Sequence, residues 1–205
     1  KTYNFHILKV IKKFKDQNMF FTYDSFGDGV ERKRLEQKVI DYQLQDQVKF
    51  HPTIKYSQFQ EKIADSLMFI GAGTALIEAS ACGIPALIGI ENEEINNPLT
   101  FGFLHDLNTL SYQEIELNLE KKLIYDCIKK LYNLSENEYN EQCNLAINRA
   151  KDFDIKITIV KFIEIAKQSQ KNDKILGYTK IFFIVSSMII HLLLNRNSKN
   201  YFKRL

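Results

Sequence analysis

Between Phe5 and Ile90 the chain alternates a helical hydrophobic period with short apolar runs, each run closed by a turn rich in glycine or by proline. Phe5, Leu8, Ile11 and Phe14, with Ile7 and Val10, fall at helical spacing and predict an amphipathic helix. Met19–Tyr23 reads as a buried strand, followed by the turn cluster Asp24-Ser25-Phe26-Gly27-Asp28-Gly29. A charged helix is expected from about Glu31 to Tyr42, a second strand at Val48–His51 and a helix at Ser57–Asp65. A third strand is expected at Leu67–Ile70, a helix at Thr74–Cys82 and a fourth strand at Ala86–Ile90. Gly83 suits the position just past a helix end, and Pro85 blocks continuation. Short apolar strands that alternate with helices imply an α/β fold, a Rossmann-like doubly wound parallel sheet with helices on both faces. Ligands of such sheets bind at the carboxyl ends of the strands, where both glycine turns fall.

Beyond Ile90 the pattern is helical. Ser135 and Glu138 form a capping-box signature that opens a helix to about Ala150, and another helix covers about Ile155–Gln168. The organisation expected is a domain over 1–167, a polar linker over 168–174, and an apolar helix with a basic tail over 175–205.

The chain has 205 residues, of which 45% are hydrophobic, enough for a packed core; that excludes a disordered chain, a collagen-like repeat and a coiled coil. The formal charge of +3 would suggest a mild preference for anionic partners. However, Arg196, Lys199, Lys203 and Arg204 sit in an acid-free C-terminal tail, and the other 194 residues sum to −1. Nucleic acid is therefore not an expected partner. Cys82, Cys127 and Cys143 form no CxxC pair, and the four histidines make no helical metal pair. Neither a disulfide framework nor a metal site is expected, and a reducing, cytoplasmic compartment is the default. The first residue is Lys1, with no secretory pattern after it, and the chain reads as a piece of a longer protein.

Two glycine turns carry the candidate chemistry. In Gly27-Asp28-Gly29, glycine permits close approach to the backbone, and Arg32 and Lys33 follow as cations for phosphate. The alternative is a tight turn beside a solvated basic helix face. In Gly71-Ala72-Gly73-Thr74-Ala75, a strand, a glycine turn and a helix start follow at once; amides at that start, with the helix dipole, favour a diphosphate. Glu78 lies one turn beyond Thr74 on the same face, where a carboxylate can accept hydrogen bonds from ribose hydroxyls. The alternative reading makes Thr74 an ordinary first-turn residue and Glu78 a solvated acid. His51 stands at a strand end. His105 reads as a loop or satisfied semi-buried histidine, and Cys82 as a small core residue.

Taken in order, the Gly-Asp-Gly turn with its basic helix, the Val48-Lys49-Phe50 strand, the Ala64-Asp65 pair and the Glu-Ala-x-Ala-Cys-Gly-x-Pro run from Glu78 to Pro85 resemble the C-terminal, donor-binding domain of GT-B glycosyltransferases. The group concerned is the large retaining family 4 (group 1) that includes sucrose- and glycogen-synthase-like enzymes. The resemblance covers about Lys1 to Lys167. It implies that Gly71, Gly73, Thr74 and Ala75 hold a donor diphosphate, with Gly29 and Arg32 or Lys33 at the first turn, and that Glu78 binds the nucleotide ribose. It further implies a nucleobase loop around His51 and Thr53, and a diphosphate contact from Lys1. Position 70, eight before Glu78, is Ile70 where the family has a glutamate. The family also implies a separate N-terminal acceptor domain and a nucleotide-sugar donor. The acceptor would be a saccharide or lipid-linked, and transfer would need no metal cofactor. The function expected is glycosyl transfer in surface polysaccharide synthesis; a nucleotide-sugar epimerase of the same layout and a non-catalytic nucleotide-binding subunit are the alternatives. The 175–205 segment could pack on protein, lie on the inner membrane face with its basic residues at anionic lipid, or span the bilayer.

Overall fold

The computed structural model describes residues 1–91, 94, 96–108 and 119–169. Its elements in chain order are α1 (Tyr3–Lys15), β1 (Tyr23–Phe26), α2 (Arg32–Asp41), β2 (Val48–His51), a 3₁₀ turn at Tyr56–Gln58, α3 (Phe59–Ile63), β3 (Phe69–Gly71), α4 (Thr74–Ala81) and β4 (Ala86–Ile88). Then come β5 (Leu99–Thr100), a 3₁₀ turn at Leu104–Asp106, β6 (Lys122–Leu123), α5 (Ile124–Tyr132), α6 (Glu136–Lys151) and α7 (Ile155–Ser169).

Three of the helices end in the same way. A left-handed residue follows each of α1, α2 and α4: Asn18 at φ 59°, Gln43 at φ 55° and Gly83 at φ 79°. The next amide, of Met19, Leu44 or Ile84, then reaches back to the carbonyl of Phe14, Val39 or Ala79 at 2.9, 2.9 and 3.1 Å. This closure satisfies carbonyls that would otherwise be orphaned at the helix end. Only Gly83 was expected in that role. α6 opens on the capping box, with Ser135 Oγ accepting from the Glu138 amide and Glu138 accepting from the Ser135 amide.

The parallel pairing holds, but the strands form two ladders. β1 pairs with β2, Tyr23 opposite Val48, and β3 pairs with β4, Phe69 opposite Ala86. β5 and β6 make a short antiparallel pair. The first strand lies at Tyr23–Phe26 rather than over Met19–Tyr23. The reason is that Met19–Thr22 follow the α1 closure, and Phe21 spends its side chain on Phe14 and Tyr132, with ring centroids 4.5 and 5.1 Å away. Pairing starts only at Tyr23, whose amide donates to the Gln47 carbonyl at 2.7 Å. The third strand is likewise displaced, to Phe69–Gly71, and the helix expected over Ser57–Asp65 is a 3₁₀ turn followed by the single turn and a half of α3.

β4 is buried on both faces. Leu87 joins the core made by α1, α2 and α5, which includes Ile7, Leu8, Phe14, Val39 and Ile124. Its neighbours Ala86 and Ile88 join the core built on Leu76 and Ala79 of α4 with Phe101 and Leu104. Alternate residues of one strand thus enter two cores, as in a sheet covered by helices on both sides. The chain divides into two units, Lys1–Ile155 and Lys156–Leu205. The first holds everything described so far up to α6; in the second the described part is the body of α7. The rest of the expected linker and the apolar helix with basic tail over 175–205 lie outside the described residues. Among the described residues no helix is long and apolar enough to cross a membrane.

Candidate donor-binding site

The first glycine turn leaves the carboxyl end of β1. Gly27 carries the left-handed backbone, at φ 124°, and Gly29 faces open space, with nothing within 4 Å of a side chain placed there. Arg32, on the first turn of α2, points back under this turn. Its guanidinium donates to the carbonyls of Gly27 at 3.3 Å, His51 at 3.2 Å and Phe50 at 3.4 Å, and pairs with Asp28 at 2.8 Å and Glu36 at 2.9 Å. It clamps the carboxyl ends of β1 and β2 together. Lys33, beside it, is exposed.

Asp28, between the two glycines, accepts from the Thr53 amide at 3.0 Å and the Thr53 hydroxyl at 3.3 Å. These bonds, the amide first, with Arg32 adding to them, hold its carboxyl below the usual carboxylate range. His51 turns back onto β1: Nε2 meets Asp24 at 2.5 Å and the ring stacks on Phe26 at 4.6 Å. The loop expected near a nucleobase is therefore built into the first glycine turn.

The second turn leaves β3. Gly73 precedes α4 with φ 72° and ψ −152°, a region open essentially to glycine alone, and a side chain there would also meet empty space. Thr74 is exposed. The Thr74 and Ala75 amides open the helix, where no preceding carbonyl of the helix can take them. Gly71 closes the strand and accepts from the Gly89 amide at 2.7 Å. Glu78, half-buried on α4, has its pKa raised by desolvation, offset in part by a hydrogen bond from the Tyr56 side chain. Ile70, at the position of the family's other glutamate, packs against the first core.

Tyr56 and Thr53 join the two turns. Thr53 is bound to Asp28 of the first turn, and Tyr56, three residues on, to Glu78 behind the second. Three residues span at most about 11 Å, so this loop holds the two turns on a common edge. Sequence reasoning missed Tyr56, which carries no motif, and gave Asp28 no role, though an aspartate between glycines is a typical turn-stabilising acceptor. Lys1 pairs with Glu91 at 2.5 Å, near the end of β4. His105 is buried against Gln142, 3.0 Å away, and stacks on Phe103. Among the described residues no group of three or more His, Cys, Asp or Glu could hold a metal ion.

Residues 3–93 match the family described as glycosyl transferases group 1. That match covers less than half of the 205-residue chain, so this segment is similar to group 1 glycosyltransferases, and the likeness to solved structures concerns the fold. The chain's fold is similar to that of a TarM mutant from S. aureus, solved with fondaparinux, alpha-GlcNAc-glycerol and UDP: TM-score 0.53 and 16% identity over 76% of this chain and 31% of that one. The pneumococcal O-GlcNAc transferase GtfA, solved with UDP and GlcNAc, gives a TM-score of 0.48 and 18% identity over 80% of this chain and 32% of that one. The chain thus spans about a third of the length of these solved structures. No curated protein matches it in sequence.

Proposed function

We propose that this domain binds the nucleotide-diphosphate sugar donor of a glycosyltransferase, for hexosyl transfer to a saccharide or lipid-linked acceptor in surface polysaccharide synthesis. The observation that carries this reading is the Thr53–Tyr56 loop, which holds a glycine turn with open space around Gly29 beside a helix start with no side-chain cap and the half-buried acid Glu78. The Thr74 and Ala75 amides and the α4 dipole take the diphosphate, and Lys33 supplies positive charge. Glu78 accepts from the ribose hydroxyls. A leaving diphosphate stabilised in this way needs no divalent cation. Retention of configuration is part of the proposal by family likeness, with Ile70 in place of the usual carboxylate. A separate acceptor domain supplies the other wall of the cleft. The protein works in the cytoplasm, with 175–205 in contact with the inner membrane face.

Binding of UDP, GDP and ADP, measured calorimetrically in EDTA, tests the donor site. Glu78→Gln should weaken the preferred nucleotide about ten- to a hundredfold, the worth of hydrogen bonds to a charged acceptor. It should leave the weaker 2′,3′-dideoxy analogue unaffected. Because burial holds the folded pKa of Glu78 above its unfolded value, the ionised carboxylate costs stability as pH rises through the folded pKa, so this variant should keep or slightly raise the Tm at neutral pH. Equal losses for both nucleotides would remove the ribose role.

A further inference from the structure

Without the C-terminal tail the chain sums to −1, yet two neighbouring helices carry a local excess of positive charge. α1 holds Lys9, Lys12, Lys13 and Lys15, with the acid Asp16 just past its end, and α5 holds Asp126, Lys129 and Lys130, a sum of +4. Core packing fixes how these charges meet. Phe14 of α1 stacks on Tyr125 of α5, ring centroids 4.6 Å apart, in the core that the two helices share. The Tyr125 ring is buried, and its hydroxyl donates to Gln17 at 2.6 Å.

Lys13 and Lys129 reach that one ring from the two helices, their Nζ atoms 3.7 and 5.6 Å from its centroid. The two charges therefore lie within about 9 Å of each other, inside the Debye length of about 10 Å at 0.1 M salt. Lys9 stands one turn before Lys13 on the same side of α1, and Lys130 follows Lys129. Among the described residues no ion pair engages any of these four lysines. Lys12 and Lys15, by contrast, are paired with Asp16 and Asp46. Lys13, Lys129 and Lys130 are exposed. Contact with the ring face attracts an ammonium group but accepts few of its three N–H bonds, so these donors remain for an anionic partner.

We propose that this α1–α5 face docks on an anionic phospholipid membrane, with headgroup phosphates at Lys9, Lys13, Lys129 and Lys130. The residue type argues for this occupant. Neither helix holds an arginine. Lysine is a flexible, strongly hydrated point charge that suits many loosely placed phosphates, whereas the planar fork of arginine suits one fixed carboxylate or phosphate. The buried Tyr125 offers no stacking platform for bases, which single-stranded nucleic acid would use. The position fits as well. α1 leads into β1, so Lys13, near the end of α1, lies toward the amino end of that strand, while Gly27 and Gly29 follow its carboxyl end. Docking there leaves the first glycine turn free. The surface belongs to the first unit, separate from 175–205, and it rests on no part of the nucleotide reading.

The test is flotation of the full chain with vesicles of phosphatidylcholine, alone or with about one-third phosphatidylglycerol. Lys13→Gln, Lys129→Gln and Lys130→Gln together should lower the partition coefficient onto the anionic vesicles at least about tenfold. The same charge change on other elements, Lys49→Gln, Lys55→Gln and Lys62→Gln together, should lower it no more than about threefold. Amine-directed labelling of the unaltered chain gives a second readout if the triple variant fails to fold. Anionic vesicles should protect Lys13, Lys129 and Lys130, and neutral vesicles should not. Unchanged partition, equal losses from the two triple variants, or no protection of these lysines overturns the proposal. So does protection by duplex DNA or polyglutamate without protection by anionic vesicles, which would mark a different polyanion as the occupant.

Discussion

Arg32 and His105 show how a side chain's surroundings decide its work. Arg32 follows a glycine turn as a phosphate-binding cation would, yet its guanidinium is engaged by three carbonyls and two carboxylates. Its part is to hold the turn, while Lys33 beside it is exposed. His105 is buried, and desolvation holds its pKa below the ordinary 6.5, against the opposing pull of Gln142 and Asp106. The unfolded chain therefore takes up this proton first as pH falls. The stabilising contribution is complete above the unfolded value and is lost as pH drops below it toward the folded pKa. Thermal melts should show a Tm that falls between about pH 7.5 and 5.5, and His105→Gln should flatten that slope even if its Tm is lower throughout. An unchanged slope would place the proton uptake elsewhere.

α4 and α6 are helices whose starts are set by different chemistry. α6 relies on a side chain, Ser135, whose cap was legible from four letters of sequence because capping is local. Ser135→Ala should cost about 1 kcal/mol in denaturant unfolding and leave nucleotide binding unchanged. α4 relies on the backbone of Gly73, and no side chain caps its first amides. Gly73→Ala would force a side chain into a region reserved for glycine, at a cost of about 1–3 kcal/mol. Here nucleotide affinity should fall with stability, because the amides move with the turn. Calorimetry on both variants separates a structural cap from a binding one.

For the chain as a whole, the proposed function assigns it the donor side of a transfer reaction, with the acceptor held by a separate domain. The expected outcome is saturable nucleotide-sugar binding with sugar release close to the uncatalysed background, measured by product analysis on labelled donors. Turnover well above background would mean that the chain already holds the groups that carry the chemistry. The charge distribution belongs here too: with the basic tail set aside the remaining residues sum to −1, so the proposed diphosphate site has no general positive field behind it and relies on local groups.

Hydrophobic period, glycine turns and capping residues are local signals, and they were enough to predict the α/β alternation, the parallel strands and both turns in their order. Strand bounds were less legible, because Phe21 and its neighbours are as apolar as a strand while serving the core from a non-strand backbone. Even the ordered motif set that pointed to a donor domain could not say what each side chain would touch. That Arg32 braces a turn, that Thr53 and Tyr56 join two turns, and that β1 and β3 line one cleft depend on contacts between residues far apart in the chain. Such contacts are decided by packing and by which backbone edges are left to pair, so they came only from the tertiary structure.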